Sequence, residues 1–325
     1  MKEYSISWWN LENLFDVENS PNRADWLQKE LKHELKGWNA NILQTKIEQL
    51  KKIIEQMNSG KGPDILGVCE VENKQVLEKL VLNINLTDRN YEIAYHETQD
   101  QRGIDIAFIY DENILQVENQ FSYFVLKRTA TRDIVQVNFR TLKGNQLILI
   151  GNHWPSRKGG ESHSEPYRII AAETLAYWNK KIIEICGNDV AIIIAGDFND
   201  EPYSRSIQEY ALSIPLKKKV VYSRIPRFYN LMYKFLSQGI GSYYYNYFPS
   251  LFDQFWVSKG FITHNSAFSL ARNDSGDLKV EVLMFEEMNS KGRYPDPIRF
   301  GRPSKKLNLK GFSDHYPIEL NIEEK

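Results

Sequence analysis

Polar side chains of the kind that do chemistry stand at the edges of several short apolar runs in this chain. They are Asn10, Glu70, His153, Asp197 with Asn199, and Asp314 with His315. Because open sheets collect their functional groups at strand ends, these positions together indicate one site. Taken singly, each is open to the alternative that it caps a turn or a helix.

These residue types narrow the reaction. Carboxylate and carboxamide oxygens are ligands of hard cations such as Mg²⁺ or Mn²⁺, whereas the 6 histidines show no His-x-x-x-His spacing for zinc. One hard metal, two histidines and an Asp/Asn pair suit the attack of water on a phosphate ester. In that reaction the metal neutralises phosphate charge, an acid orients or deprotonates the water, and an imidazolium stabilises or protonates the leaving oxygen.

Two positions make geometric predictions. On extended backbone, Asp197 and Asn199 face one side while Phe198 packs on the other, although a turn with an Asx hydrogen bond is an equally simple alternative. Asp253 lies inside an aromatic strand, where a lone carboxylate needs a partner, so it is a candidate to orient His315. The alternative for His315 is a polar surface residue at a turn.

Missing motifs and overall composition exclude several classes of protein. The chain has no G-x-x-x-x-G-K-[ST], G-x-G-x-x-G or G-x-S-x-G, which argues against P-loop, dinucleotide and nucleophile-elbow enzymes. Its composition is globular, with 42% hydrophobic and 26% charged residues, and a net charge of −1 gives no global attraction to nucleic acid or lipid. No apolar run is long enough to span a membrane and no secretory signal is visible, so we expect a cytoplasmic protein unless a leader was removed. Cys69 and Cys186 lack a Cys-x-x-Cys spacing and predict two buried free thiols.

Apolar runs and periodicity predict the elements that must position these side chains. Strands are predicted over 4–9, 65–69, 91–95, 104–110, 134–139, 147–150, 190–195, 252–257 and 280–285, with a strand-like segment at 316–322. Helices are predicted over 42–57, 74–82 and 166–186, the last with Pro166 in its first turn and Gly187 after its end. This order favours two packed mixed sheets with helices outside over a strictly alternating parallel fold.

Domain organisation follows from the absence of linkers. No glycine-rich or low-complexity tract divides the chain, which predicts one domain over 1–325. Two long polar stretches, 16–39 and 286–310, are candidate functional rims.

Five motifs occur in order along nearly the whole chain, from residue 9 to residue 317. They are W-N-L-E-N-L-F from Trp9, G-V-C-E-V-E-N from Gly67, G-N-H-W-P-S-R from Gly151, G-D-F-N-D from Gly196 and F-S-D-H-Y-P from Phe312. They resemble the successive motifs of the endonuclease/exonuclease/phosphatase superfamily, which has the deoxyribonuclease I-like fold. The resemblance implies an α/β fold, a four-layer α/β/β/α sandwich of two mixed sheets with outer helices, and a metal-dependent phosphoesterase.

The same resemblance implies a set of metal ligands. Glu70 resembles the principal ligand, with Asn10 nearby contacting metal, water or phosphate, and Asp314 assisting at a metal position. Glu12 is a weaker ligand candidate, and its alternative is a loop anchor. The implied cofactor is Mg²⁺ or Mn²⁺.

Catalytic roles are implied in the same way. Asp197 and Asn199 resemble the pair that positions the attacking water and the scissile phosphate, and Asp253 would orient His315. His153 resembles a second histidine found in the deoxyribonuclease and sphingomyelinase branches. No residue could be matched to the catalytic tyrosine of the abasic-site branch, which argues against an abasic-site repair enzyme.

Candidate phosphate-binding groups are less specific. Arg157 follows the His153 motif and Arg132 opens a strand, and solvated surface arginines are the alternative for both. The tyrosines around 243–247 and the lysines at 217–219 could line a nucleic-acid groove, or else belong to sheet core and solvated loop.

The sequence therefore predicts a metal-dependent hydrolase of phosphodiester bonds, most directly a nuclease acting on nucleic acid without an obligate protein partner. One alternative is a phosphatase or phosphodiesterase that acts on a small phosphorylated metabolite or a lipid headgroup. Another is a non-catalytic binding module, which the complete set of competent residues disfavours.

Overall fold

Two mixed sheets form the centre of this computed structural model, which describes residues 1–98, 100, 102–126, 131–263, 265–293 and 295–325. The first sheet runs through β14 (Phe268–Leu270), β16 (Ile318–Glu324), β1 (Lys2–Leu14), β2 (Ile65–Val71), β4 (Asp105–Asp111) and β3 (Tyr91–His96), with β15 (Val280–Val282) beside β16. The second runs through β5 (Leu115–Tyr123), β6 (Ile134–Thr141), β7 (Gln146–His153), β8 (Ile192–Asp197), β13 (Asp253–Val257), β10 (Phe228–Asn230) and β9 (Ser213–Ile214). A separate hairpin pairs β11 (Tyr243–Tyr245) with β12 (Phe248–Ser250).

Helices lie outside the sheets. They are α1 (Asp25–Leu31), α2 (Ala40–Ile54), α3 (Met57–Gly60), α4 (Lys74–Asn83), α5 (Glu161–Cys186), α6 (Lys217–Tyr222), α7 (Tyr233–Leu236) and α8 (Lys259–Thr263), with a π-helical turn at Ser206–Tyr210 and a 3₁₀ turn at Glu286–Met288. The apolar faces of α2 and α4 pack on the outer face of the first sheet. That of α5 packs on the outer face of the second sheet.

The main core lies between the sheets. Trp8 and Phe108 of the first sheet meet Phe139, Leu149 and Ile193 of the second in one buried cluster. The layers are thus helix, sheet, sheet and helix, and the predicted four-layer sandwich is confirmed. Since strand side chains alternate between faces, each sheet supplies one face to the central core and the other to its helices.

Several local predictions need correction. The third predicted helix begins at Glu161, directly after Gly160 with φ 110°, so Pro166 is its sixth residue and not part of its first turn. The first predicted helix is α2, which ends at Ile54 and not at Met57, and the chain is left-handed shortly afterwards at Asn58 and Ser59. Strand β5 was not predicted, because at the edge of its sheet it alternates with exposed polar residues. Cys186 is exposed, so only Cys69 is a buried free thiol.

The long stretch 16–39 contains helix α1 and is tied down by an ion pair. Arg23 donates through Nε and Nη2 to the two carboxylate oxygens of Glu72, at 2.6 and 2.7 Å. In the described ranges, no helix has the length and apolar character that crossing a bilayer requires.

Candidate active site

Three neighbouring strands of the second sheet place their polar residues in one row. In the parallel pairing of β7 with β8, His153 lies opposite Asp197, and in the antiparallel pairing of β8 with β13, Asp197 lies opposite Asp253. Gly196 permits this close pairing, because a Cβ there would lie 2.5 Å from the carbonyl oxygen of Asn152. The sheet register alone therefore brings these three candidates together.

The first sheet contributes Asn10 and Glu70 from the adjacent strands β1 and β2. The Nδ2 of Asn10 donates to the Oδ2 of Asp197 at 3.1 Å, which joins the two sheets at the site. Glu70 has φ 63° and lies where the pairing of β2 with β4 shifts register between Cys69 and Val71. Such a bulge re-aims a side chain, and strained backbone of this kind persists at functional sites.

The segment before β16 is fixed by its own hydrogen bonds. The Oγ of Ser313 donates to the carbonyl oxygen of Asn10 at 2.6 Å and accepts from the backbone N–H of His315 at 3.1 Å. The Nε1 of Trp9 donates to the carbonyl oxygen of His315 at 2.9 Å. These contacts hold Asp314 and His315 beside the ends of β1 and β8.

His315 is paired with a buried carboxylate. Its Nδ1 lies 2.6 Å from the Oδ2 of Asp253, whose backbone N–H donates to the Oγ of Ser242 at 2.9 Å. Burial favours the neutral imidazole, but the nearby carboxylates of Asp253, Asp197 and Asp314 outweigh it and raise the pKa of His315 well above its usual value. The predicted pairing of Asp253 with His315 is thus present as a contact.

His153 has a different environment. Its Nε2 lies 3.6 Å from the Oε1 of Glu70 and 3.8 Å from the Oδ2 of Asp197, while its buried Nδ1 has no hydrogen-bond partner in the described part of the chain. Burial, followed by the positive charges of Arg132 and Arg102, lowers the pKa of His153 well below its usual value. At neutral pH this imidazole is uncharged.

Asp197 lies between the two imidazoles. Its Oδ2 is 3.8 Å from the Nε2 of His153 and 3.9 Å from the Nε2 of His315. Burial, opposed by His315 and reinforced by Asp253, raises the pKa of Asp197 to about 7. All three groups are close, yet neither imidazole is within hydrogen-bond distance of Asp197, and both histidines line the same cleft as Asp197.

The expected extended geometry at Asn199 is wrong. Its backbone is left-handed, with φ 50°, and its N–H donates to the Oδ1 of Asp197 at 2.9 Å, which is the Asx turn of the alternative interpretation. The Nδ2 of Asn199 donates to the carbonyl oxygen of Trp154 at 3.1 Å. Asp197 and Asn199 nevertheless line the same cleft.

That cleft has a volume of about 560 Å³ and is lined by the candidates Glu70, His153, Asp197, Asn199, Asp314, His315 and Arg157, among others. Arg157 is held by the carbonyl oxygen of Asn199 at 2.8 Å and the Oδ1 of Asp200 at 3.0 Å. Arg132 is buried, bonded to Asp100 and to the carbonyl oxygen of Trp154, and lines a neighbouring cleft instead. The structure thus brings Arg157 into the catalytic cleft but not Arg132.

The oxygen donors of the cleft suit a hard cation. The side chains of Glu70 and Asp314 are 13% and 19% exposed, and neither carboxylate accepts a hydrogen bond from the described residues. Within those residues no group of three His, Cys, Asp or Glu side chains is arranged to hold a metal ion. Glu70 lies 3.6 Å from the Nε2 of His153, and Asp314 lies 3.7 Å from the Nη1 of Arg299. These two carboxylates still fit Mg²⁺ or Mn²⁺, because Mg²⁺ usually keeps several waters and binds through one or two carboxylates plus substrate phosphate.

The two remaining ligand candidates are engaged with the protein. The Oδ1 of Asn10 accepts the backbone N–H of Glu12 at 2.9 Å. Glu12 accepts the backbone N–H groups of Phe300 and Gly301 at 2.8 and 3.3 Å, so it anchors the 286–310 stretch. Burial and Asp314 raise the pKa of Glu12 to about 7.

Sequence reasoning missed Lys46, which is fully buried beneath these acids. Its Nζ donates to the carbonyl oxygen of Phe312 at 2.6 Å, and burial lowers the pKa of Lys46 to about 8 despite the charges of Glu12, Asp314 and Glu70. The sequence does contain a signal for its burial, since Lys46 falls on the apolar face of α2 with Leu43, Ile47 and Leu50. Ser242, by contrast, carries no local signal for its contact with Asp253.

The amino-acid sequence matches a known protein family over nearly its whole length. A family model described as the Endonuclease/Exonuclease/phosphatase family matches residues 5–324. No curated protein sequence matches the chain.

Solved structures with similar folds cover nearly the whole chain. D. rerio TDP2 complexed with a single-strand DNA product has 12% identity, covers 99% of this chain and 100% of its own, and has a TM-score of 0.59. The human Nocturnin catalytic domain with a bound sulfate anion has 16% identity, coverage of 99% and 94%, and a TM-score of 0.56. A mannosyl-6-phosphatase of Bacteroides thetaiotaomicron has 15% identity, coverage of 98% and 99%, and a TM-score of 0.57. At these identities the likeness shows the fold.

Proposed function

Since the chain belongs to the endonuclease/exonuclease/phosphatase family and is a hydrolase of phosphoester bonds, we propose that it uses Mg²⁺ or Mn²⁺ to cleave phosphodiester bonds of nucleic acid. We further propose that residues 1–325 act as one catalytic domain. The site supports this proposal, because Asn10 and His315, from near the two ends of the chain, both lie next to Asp197 of the second sheet.

One observation carries the choice of a polyanionic substrate: the catalytic cleft continues into two others. It shares Arg102 and Lys158 with a cleft of about 730 Å³, and it shares Asp314 with a cleft of about 530 Å³. The two flanking clefts share Arg302 and Lys305 with each other. The resulting groove is lined by eight basic residues, Arg102, Arg132, Arg157, Lys158, Arg299, Arg302, Lys305 and Lys306.

A groove of this kind suits a chain of phosphates better than a single phosphate group. Basic side chains along a groove follow a nucleic-acid backbone, whatever the net charge of the whole protein. Nine acidic residues line the same three clefts. Four of them, Glu12, Glu70, Asp197 and Asp314, belong to the proposed metal site and its surroundings, which leaves five acidic residues against eight basic ones along the rest of the groove.

In the proposed mechanism, Glu70 and Asp314 would hold the metal, with Asn10 close by, and phosphate charge would be neutralised there when the metal is bound. Asp197, oriented by the amide of Asn10, positions and deprotonates the attacking water. Arg157 and Asn199 lie at the cleft wall, where they contact phosphate oxygens.

The histidines take complementary roles. His315, oriented by Asp253 through Nδ1, is protonated and presents its Nε2–H to the leaving oxygen, which it stabilises or protonates. His153 is neutral, and we assign its proton to Nε2, the nitrogen that faces the cleft. From there it donates to a phosphate oxygen without adding charge.

A substrate panel tests the proposal. It compares single-stranded DNA, duplex DNA, RNA, a chromogenic phosphodiester, mannose 6-phosphate, a phosphoinositide and sphingomyelin, each with Mg²⁺, with Mn²⁺ and with EDTA. We expect cleavage of nucleic acid that EDTA abolishes and either metal restores. Turnover of only the sugar phosphate or only a lipid would contradict the nucleic-acid substrate, and turnover that persists in EDTA would contradict the metal.

A further inference from the structure

The β11–β12 hairpin stands at the wall of the catalytic cleft. Its register pairs Tyr243 with Ser250 and Tyr245 with Phe248, which leaves Asn246 and Tyr247 as a two-residue turn. Both turn residues are left-handed, with φ 49° and 68°, as a type I′ hairpin requires. In the described part of the chain these two strands pair only with each other as a sheet.

The base of the hairpin is fixed to the catalytic machinery. Tyr243 forms an isolated β-bridge with His315, and the centroids of the tyrosine and imidazole rings are 4.9 Å apart. On the other face, Tyr244 packs edge-on against Tyr316, with ring centroids 5.9 Å apart. These contacts connect the base of the hairpin directly to His315 and to its neighbour Tyr316.

The tip itself is aromatic and exposed. Tyr245, Tyr247 and Phe248 are 66%, 62% and 76% exposed, and Tyr245 lines the catalytic cleft. We call these three side chains the aromatic tip. Single exposed aromatic residues are ordinary on protein surfaces, but three on one hairpin beside a catalytic cleft form a surface for stacking.

Backbone strain at Tyr247 supports a functional role for its ring. A left-handed conformation is favourable for glycine and tolerable for asparagine, whereas a bulky residue is an outlier there. The hairpin would form more easily with a glycine or asparagine at 247. The sequence keeps a tyrosine at a strained and exposed position, where burial gives it no compensation.

Basic residues of the same cleft indicate the chemistry of the partner. Arg102, Arg157 and Lys158 line the cleft together with Tyr245 and complement a phosphate backbone. A ligand that carries both phosphate groups and planar rings, such as a nucleic-acid strand with unpaired bases, fits both the basic residues and the aromatic tip.

We propose that the aromatic tip stacks on an unpaired nucleobase next to the scissile phosphate, which makes single-stranded nucleic acid the preferred substrate. This inference rests on the proposed function and refines it. The bases of a duplex are already stacked on each other, so a duplex offers no free base on which the aromatic tip could stack. Stacking of that nucleobase would also position the strand relative to His315, because Tyr243 of the same hairpin contacts His315.

The test crosses two enzyme variants with two substrates. Tyr247→Asn removes the ring and suits the left-handed backbone, and Phe248→Ser removes a second ring from the tip. Tyr222→Ser is the matched control, since Tyr222 is an exposed tyrosine on α6 outside the clefts. The substrates are a single-stranded DNA oligonucleotide and the same strand with abasic nucleotides around the cleavage position, and kcat/KM is measured for each.

We expect the wild type and Tyr222→Ser to prefer the base-containing strand by roughly 5- to 100-fold, which is the effect of a stacked base. In Tyr247→Asn that preference is reduced but not abolished, because Tyr245 and Phe248 remain; the change appears mainly in KM, and the melting temperature stays equal or rises. Phe248→Ser reduces the preference in the same direction.

Other outcomes overturn the inference in distinguishable ways. If Tyr247→Asn and Phe248→Ser are both active and both keep the full preference, the aromatic tip takes no part in base binding, and an equal loss on both strands shows that the tip does not read bases. A preference for duplex over single strand also contradicts it. If the wild type cleaves the chromogenic phosphodiester but neither strand, the proposed nucleic-acid substrate has failed first, and dependence of mannose 6-phosphate turnover on Tyr247 would assign the tip to a sugar ring.

Discussion

His153 and His315 lie on opposite sides of the same carboxylate, and their surroundings drive their protonation in opposite directions. Each Nε2 is just under 4 Å from the Oδ2 of Asp197. His315 has the carboxylate of Asp253 on its Nδ1, whereas the Nδ1 of His153 has no partner in the described chain and two arginines act on the ring. Two identical side chains therefore acquire different roles from the charged groups that surround each of them.

The largest effect is expected on the side of His153, where the cleft holds Glu70. Glu70→Gln keeps the shape of the side chain but removes the negative charge that binds a divalent cation. We expect the variant to lose most Mg²⁺ affinity and to fall to the activity that the wild type shows in EDTA. Isothermal titration and turnover on one folded preparation check this, and unchanged Mg²⁺ binding would remove Glu70 from the metal site.

The next largest effect is expected on the side of His315. Asp253→Asn keeps the volume but removes the charge that holds His315 protonated, so we expect the rate to fall by about 10²-fold or more with the melting temperature nearly unchanged. Asp64→Asn is a matched control, since Asp64 is a buried carboxylate paired with Arg89 at the opposite end of β2.

The control should show the reverse pattern, a lower melting temperature with normal specific activity of the folded protein. If Asp253→Asn behaves like Asp64→Asn, Asp253 stabilises the fold and does not orient a catalytic group.

The row of His153, Asp197 and Asp253 shows how far local sequence can lead. His153 and Asp197 follow apolar runs at the ends of their strands, and since sheet register aligns such ends, their proximity was predictable, whereas Asp253 was placed inside a strand and is the first residue of β13 in the structure. The bulge at Glu70 and the left-handed turn at Asn199 were not, because both depend on how neighbouring strands pair. A rule based on alternation assumes regular strands, and this site is built where the strands stop being regular.

Contacts distant in sequence define the other limit. Ser242 accepts the backbone N–H of Asp253, and the 243–250 hairpin packs on His315. No local sequence pattern in either segment predicts these contacts. The tyrosines there were equally compatible with sheet core, and the structure divides them: Tyr243 and Tyr244 pack, while Tyr245 and Tyr247 are exposed. Glu12 was a weaker candidate for a metal ligand, but its contacts in the structure are those of the alternative, a loop anchor.

The dependence of rate on pH should report both sides of the comparison. Asp197 has a pKa raised to about 7, so its carboxylate form, and with it the rate, is lost as pH falls below that value. His315 has a raised pKa, so its imidazolium persists past pH 6.5 and is lost only as pH rises through the raised value. We expect a bell with about tenfold change per pH unit on each limb.

Asp253→Asn sharpens this prediction, because the loss of its charge should move the alkaline limb of the residual activity to lower pH. His153 should add no limb near neutral pH, since it is already uncharged there. A flat profile from about pH 5.5 to 9 would contradict the assignment of opposite protonation states.

The smallest effect is expected from His153→Asn. A neutral imidazole that only donates from Nε2 can be replaced in part by an amide, which also carries a donor, so we expect a loss of about tenfold, well below that of Asp253→Asn. The alkaline limb of the pH profile should stay in place, because His315 and Asp253 are untouched. Steady-state rates and pH profiles of the two variants, measured side by side, check this. A larger loss for His153→Asn than for Asp253→Asn would contradict these roles, since it would assign the more important catalytic imidazole to His153 and not to His315.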